Sequence, residues 1–357
     1  MKPLPSCTDY IASIETQQLI TANELQGGHV VQKNGKTLRY AGGFCVVFPF
    51  ILSSGKKVAV RCWTANVPDA DKRSQIIAQR LRDSNLPYFV GFNYIERGIA
   101  TSLGLFPVVI MDWVDAYPLK EYLKRHIREG SSLQNLAFEF YNMVINLHKL
   151  GFSHGDLQHG NIMVSESGKI FLVDYDSMFV PGLEGVSDDI KGLAGYQHPG
   201  RNKNKELSPK SDYFSELVIY TSILALSKIP SLWTELNIEN SETLIISPDD
   251  IDMPHNSNII RRLKSSNSEL IHCADAIEKF LSIQNIEELQ PLEEVIIPES
   301  TRIIEGLQSK WKRPISQTIT ESVIDTETLS NKWNTSQIAI NENISVNIDS
   351  ITNKWRK

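Results

Sequence analysis

The stretch His154-Gly155-Asp156-Leu157-Gln158-His159-Gly160-Asn161 is followed, thirteen residues after Asn161, by Asp174-Tyr175-Asp176. Apolar runs flank both: Ile162-Met163-Val164 follows the first, and Ile170-Phe171-Leu172-Val173 leads into the second. Glu166-Ser167-Gly168-Lys169 lies between them, so the pattern predicts two short strands joined as a hairpin. Such a hairpin holds Asp156, Asn161 and Asp174 near one another on a rigid support. Phosphoryl transfer needs a carboxylate to orient an attacking hydroxyl or accept its proton, and Asp156 suits that role. It also needs hard oxygen ligands for Mg2+ on nucleotide phosphates, which suits Asn161 and Asp174. Taken singly, each is an ordinary turn residue. The string H-x-D-x-x-x-x-N, two strands and an aspartate together point to chemistry.

At 357 residues the chain is long for one core, so two or more domains or lobes are expected. With 41% hydrophobic and 22% charged residues it reads as an ordinary globular protein. A net charge of -6 and a pI near 5.8 exclude a global attraction to nucleic acid or anionic membrane. Cys7, Cys45, Cys62 and Cys273 form no CxxC pair and no disulfide framework. The histidines do not join them in a metal-ligand spacing. The N-terminal residues are not followed by a signal-like apolar core. The longest apolar runs, near Phe44–Leu52 and Leu103–Met111, are about half a membrane span. The expected setting is a soluble protein in the cytoplasm.

Residues 1–34 read as a polar lead-in with a helix over Ile11–Ile20. From Gly35 the pattern turns to strands: Thr37–Tyr40 enters Ala41-Gly42-Gly43, Phe44–Leu52 leaves it, and Lys57–Trp63 follows a turn at Ser53-Ser54-Gly55. A glycine-bearing strand-turn-strand lets backbone N–H groups approach phosphates. A helix is expected over Asp69–Asp83, with Ile76, Ile77 and Leu81 as its apolar stripe. Strands near Phe89–Tyr94 and Pro107–Met111 come next. Beyond Asp112 the spacing is helical. Leu119–Ile127 is one helix, and Leu133–Leu150 is a long amphipathic one closed by Gly151. His148 on it is read as packed rather than ligating. Val180–Arg201 is a long ordered loop. Asp212–Leu226 is apolar on most of its circumference and is expected to be central.

This order resembles the protein kinase-like fold over roughly residues 35–285. Gly42 falls on the second glycine of the glycine-rich loop, beside Gly43, with Phe44 and Val47 at its aromatic and valine positions. Val58-Ala59-Val60-Arg61 is similar to the strand that ends in the ATP-contacting lysine. Met111-Asp112-Trp113-Val114 resembles the gatekeeper and hinge. His154-Gly155-Asp156 and Asn161 match the catalytic loop, and Asp174-Tyr175-Asp176 stands where Asp-Phe-Gly would be. Gly192–Pro199 is similar to the end of an activation segment, and Asp212 to a buried helix-opening aspartate. The resemblance implies an α+β, bilobal fold, with an antiparallel-sheet N-lobe at 35–111 and a helical C-lobe at 112–290. It also implies ATP and Mg2+ as cofactors. Asp156 would be catalytic, Asn161 and Asp174 would hold the metal, and Gly42, Gly43, Val47, Ala59, Arg61, Met111, Asp112 and Val114 would hold the nucleotide.

Several positions depart from the family pattern. Arg61 replaces the lysine, and the two are not interchangeable as phosphate anchors. No glutamate occurs from Leu25 through Ile95, so the lysine's usual helix partner is missing, with Gln75 assigned to its place. Arg61 either contacts phosphate itself, leaves that to Lys57 or Lys36, or points its charge to solvent. Tyr40 and Cys45 replace loop glycines. Gly155 replaces the arginine that reads activation-loop phosphate, and Gln158 replaces a lysine. Asp176 replaces a glycine, and Gly200 replaces a glutamate. The expected function is an atypical protein Ser/Thr kinase. The alternatives are a pseudokinase scaffold, or a small-molecule kinase of aminoglycoside or choline type, against which the Gly192–Pro199 segment argues.

Beyond Pro291 the composition changes. Trp311, Trp333 and Trp355 recur 22 residues apart, each preceded by lysine, and an acidic residue and an aliphatic one stand at fixed offsets before them. So few apolar residues cannot build a stacked core, so residues 291–357 are expected to be a mostly disordered tail. Its three motifs would seat an aliphatic side chain and a tryptophan in a partner protein's pocket, gaining avidity by repetition.

Overall fold

The computed structural model describes residues 3–66 and 69–297, all within one compact unit, Met1–Arg302. The tail motifs at Trp311, Trp333 and Trp355 lie outside the described residues.

The first part is a curled antiparallel sheet. Its strands are β1 (His29–Val30), β4 (Tyr40–Ala41), β5 (Cys45–Ile51), β6 (Lys57–Trp63), β7 (Phe92–Thr101) and β8 (Gly104–Asp112), in the order β1-β5-β6-β8-β7 with β4 beside β5. A small separate hairpin joins β2 (Gln32–Lys33) to β3 (Lys36–Thr37). The alternation of side chains along a strand assigns the two faces. Val46, Phe48 and Phe50 of β5 and Val58, Val60 and Cys62 of β6 are buried with Tyr10, Ile14, Ile20 and Leu25. On the other face Val47 stands opposite Arg61, and Ala59 opposite Met111.

The N-terminal segment is therefore part of the sheet's core rather than a lead-in. Its helix, α1, spans Cys7–Ile14 and not Ile11–Ile20. Ser6 and Asp9 form a reciprocal capping box that starts the helix earlier than the apolar spacing alone indicates. The helix α2 (Ala70–Ser84) buries Arg73, Ile77 and Leu81, and Ile76 is only partly covered.

The second part is helical. It comprises α3 (Leu119–His126), α4 (Gly130–Lys149), α5 (Tyr213–Lys228), α6 (Leu232–Glu235), α7 (Pro248–Asp252), α8 (Asn258–Lys264), α9 (Ser268–Ser282) and α10 (Leu292–Val295). α5 is buried along almost its whole length, as its all-round apolar sequence requires. A small second sheet, ordered β11-β10-β9, joins β9 (Tyr117–Pro118), which precedes α3, to β10 (Ile162–Val164) and β11 (Ile170–Leu172), which lie between α4 and α5. Ile162 pairs with Leu172 and Val164 with Ile170, which is the expected hairpin. A curled antiparallel sheet followed by helices fits a kinase-like fold. Among the described residues no helix is long and apolar enough to cross a membrane.

Candidate active site

The hairpin places its two ends side by side. Asn161 immediately precedes β10, Asp174 follows β11 by one residue, and Val173 N–H donates to the Asn161 carbonyl at 3.0 Å. Asn161 Nδ2 donates to the Asp156 backbone carbonyl at 2.8 Å and to its Oδ2 at 3.0 Å. Leu193 N–H donates to Asp156 Oδ1 at 3.2 Å. Burial raises the Asp156 carboxyl above its ordinary range, against the pull of His154, Leu193 N–H and Asn161. With both amide hydrogens of Asn161 directed at Asp156, its amide oxygen is the group left for a cation.

The loop itself is fixed from below. Asp212, fully buried before α5, accepts from the N–H groups of His154 and Gly155. His154 Nε2 lies 2.9 Å from the Val173 carbonyl. Gly155 has φ +77, and a Cβ there would overlap the Ser177 carbonyl oxygen. This explains why the loop reads His-Gly-Asp: an arginine, or any side chain, has no room.

Asp174 adopts φ +68, one of the few non-glycine residues in the left-handed region. Tyr175 turns inward, where its hydroxyl donates to the Leu172 carbonyl at 2.6 Å and accepts from Val90 N–H at 2.9 Å. Phe89, Phe92 and His154 surround its ring edge to face. Asp176 pairs with Arg61 through both carboxylate oxygens, with Arg61 NH1 at 2.7 Å from Oδ1. Arg61 NH2 also lies 3.3 Å from Asp174 Oδ1.

Arg61 is only 3% exposed, so its charge does not point to solvent. Burial opposes its charge, but Asp176 and then Asp174 more than offset this and hold it protonated. Its partner is not on α2 at Gln75, which is exposed because the phase of the helix turns Arg73 and Ile77 inward instead. Arg73 reaches the Asp176 backbone carbonyl. The ion pair of the site thus joins β6 to the Asp174–Asp176 loop, and α2 supports it through a cation, Arg73.

Val47, Ala59, Arg61, Met111, Asp112, Val114, Asn161 and Asp174 line one cavity of about 550 Å3. Asp156 contacts Asn161 but is not in that wall. Gly42 and Gly43 do not line it either. They turn between β4 and β5, and Gly43 has open space where a side chain would be. Tyr40, Cys45 and Trp113, whose side chains were not expected to contact a nucleotide, do line it. Tyr40 and Trp113 rings lie 6.4 Å apart, and Lys57 Nζ sits 3.8 Å over Trp113. Lys36 faces a different cavity, with Lys33 and Arg39. A further cavity of about 630 Å3, against α1 and α2, contains none of the motif residues.

The segment after Asp176 is tied to the His154–Asn161 loop by Arg201, 1% exposed. Its Nε and NH2 each lie 3.0 Å from Asp188, and NH1 donates to the Gly155 carbonyl and to Gln197 Oε1. Tyr196 hydroxyl contacts His159 Nδ1 at 2.7 Å and accepts from Leu244 N–H at 3.1 Å. A Cβ at Gly200 would overlap the Gln284 carbonyl, so this chain locks the segment through Asp188 and Arg201 and not through residue 200. The sequence carried one signal for these pairs: charged residues at Arg61 and Asp176 replace the family pattern in complementary fashion.

Residues 100–180 match the model of the ABC1 atypical kinase-like domain. The chain is 25% identical over 175 residues to a probable serine/threonine-protein kinase of Streptomyces coelicolor, covering 45% of this chain and 25% of that protein. It is 23% identical over 179 residues to the serine/threonine-protein kinase PknL of Mycobacterium tuberculosis, covering 48% and 43%. The nodulation receptor kinase of Pisum sativum is 24% identical over 232 residues, covering 62% and 24%. These matches support a protein kinase-like superfamily. The chain spans between about a quarter and less than half the length of these relatives.

Proposed function

We propose that this chain is an ATP- and Mg2+-dependent phosphotransferase that acts on protein serine or threonine hydroxyls. The observation that supports this is the meeting of Asp156, Asn161 and Asp174 beside a largely apolar cavity of about 550 Å3. In this reading the sheet-rich 35–111 and helical 112–290 regions act as two lobes. Val47, Ala59 and Met163 would hold the adenine, and the backbone after Asp112, where pairing of β8 with β6 ends, would offer its polar groups. Asn161 and Asp174 would hold Mg2+, which would supply charge neutralisation at the phosphates. Asp156 orients the acceptor hydroxyl and takes its proton. Arg61 is a phosphate contact fixed by Asp176.

The test is turnover of Mg2+–ATP with transfer to a protein acceptor, compared between wild type and Asp156→Ala. Transfer by wild type that Asp156→Ala lacks supports the proposal. Transfer to an aminoglycoside or choline instead would move the reading to a small-molecule kinase. A second reading, a pseudokinase scaffold, is favoured by one observation: Arg61 is already engaged by two aspartates of the loop, while the α2 carboxylates Asp71 and Asp83 bond elsewhere, to Tyr94 and Gln79. Nucleotide binding without turnover would select it. In either case we assign Trp311, Trp333 and Trp355 to partner-protein recruitment, tested by pull-down with residues 297–357 deleted. A cytoplasmic location belongs to the same proposal.

A further inference from the structure

In kinase-type phosphoryl transfer an Asp and an Asn hold two Mg2+ ions around the triphosphate. In this chain the Asp174 neighbourhood already holds a cation. Arg61 enters from β6 with a side chain 4% exposed, pairs with Asp176, and comes within 3.3 Å of Asp174 Oδ1. It is held there from two directions. Asp176 carries both of its terminal nitrogens, and Arg73 of α2 fixes the Asp176 backbone carbonyl. A guanidinium buried this deeply does not leave without abandoning a buried carboxylate.

The charges that act directly on one another around Arg61 include three carboxylates, Asp156, Asp174 and Asp176, and two guanidiniums, Arg61 and Arg73. A metal ion on the Oδ1 side of Asp174 would meet a fixed positive group at contact range. The other oxygen of Asp174, and the amide oxygen of Asn161, have no hydrogen-bond partner among the described residues. Those two oxygens and the nucleotide phosphates suit one octahedral Mg2+ that keeps its remaining waters.

We infer that Arg61 stands in for the second cation, so that the site takes one divalent ion with its nucleotide instead of two. This rests on the phosphotransferase reading, in which Asn161 and Asp174 are metal ligands. Arginine in place of lysine is then linked to the aspartate that replaces glycine after Tyr175: Asp176 keeps the guanidinium beside the metal position.

Bound Mn2+ is counted by electron paramagnetic resonance in the full chain saturated with AMP-PNP, a non-hydrolysable ATP analogue. Wild type is expected to bind one ion per chain. Arg61→Ala is expected to bind two, with affinity for the second raised at least tenfold. Because Arg61→Ala leaves Asp176 unpaired, Arg61→Gln/Asp176→Asn serves as the second variant, with folding checked by circular dichroism. Two ions of comparable affinity in wild type overturn the inference while the proposed function stands. So does a single ion in either folded Arg61 variant. Wild type that binds no AMP-PNP overturns the proposed function and the inference together.

Discussion

Replacing Asp176 by asparagine isolates the ion pair on which the site is built. The Asp176 side chain is 15% exposed and receives both terminal nitrogens of a guanidinium that is 4% exposed. Asparagine keeps the size and removes the counter-charge. Arg61 is then left with Asp174, 3.3 Å away and 49% exposed, whose attraction is weakened by solvent. Removing one partner of a buried pair costs about 3–5 kcal/mol, and the residual contact with Asp174 places the expected loss near the lower end, about 3 kcal/mol. In a folded unit of about 300 residues that corresponds to a fall in Tm of about 5 °C. Urea unfolding followed by circular dichroism measures it. The double variant Arg61→Leu/Asp176→Leu removes both charges and is expected to lie within about 1 kcal/mol of wild type, since apolar replacement of a whole buried pair is often neutral. An Asp176→Asn protein as stable as wild type refutes the reasoning. So does a double variant as unstable as the single one.

Three further outcomes are expected. His148, buried between Glu216 and Glu293 at 3.0 and 2.8 Å, is pushed up to about 9 by those carboxylates despite its burial. Its folded value lies above the unfolded one, so its contribution is complete below about pH 6.5 and is lost as pH rises through about 9. Urea midpoints across pH 6–10 should therefore fall in wild type but not in the double variant His148→Gln/Glu216→Gln, which removes the burial-raised Glu216 carboxyl together with the imidazole. Gly155→Ala meets the Ser177 carbonyl and an unfavourable φ, and is expected to lose more than about 2 kcal/mol, measured by the same unfolding assay. Asp156→Asn is expected to lower phosphotransfer by about 10²–10⁴-fold while nucleotide affinity, read by calorimetry, stays within a few-fold.

Much of the fold was legible because its signals are local. Two apolar triplets around Glu166–Lys169 specify the β10–β11 hairpin, and the all-round apolar face from Phe214 to Leu224 specifies a central α5. α1 starts at Cys7 because a polar capping box sets it, whereas the apolar spacing points to a later start and continues into Gln17–Leu19, a separate 3-10 turn. The glycines at 42 and 43 were assigned to the nucleotide by motif position. In the structure they do not line the cavity, to which Tyr40, Cys45 and Trp113 contribute instead.

Residue order and type alone determined the His154–Asn161 string, the hairpin that supports it and the helical region behind it, because each depends on neighbours within a few residues. Only the tertiary structure decided the partner of Arg61. That partner lies 115 residues away, and no periodicity links a strand to a loop so distant in sequence. It also decided that Gly155 has no room for arginine, since the obstructing atom is the Ser177 carbonyl, brought there by the path of the chain after Asp174. Charge pairing and steric exclusion act through space, and the sequence records only the residues they require.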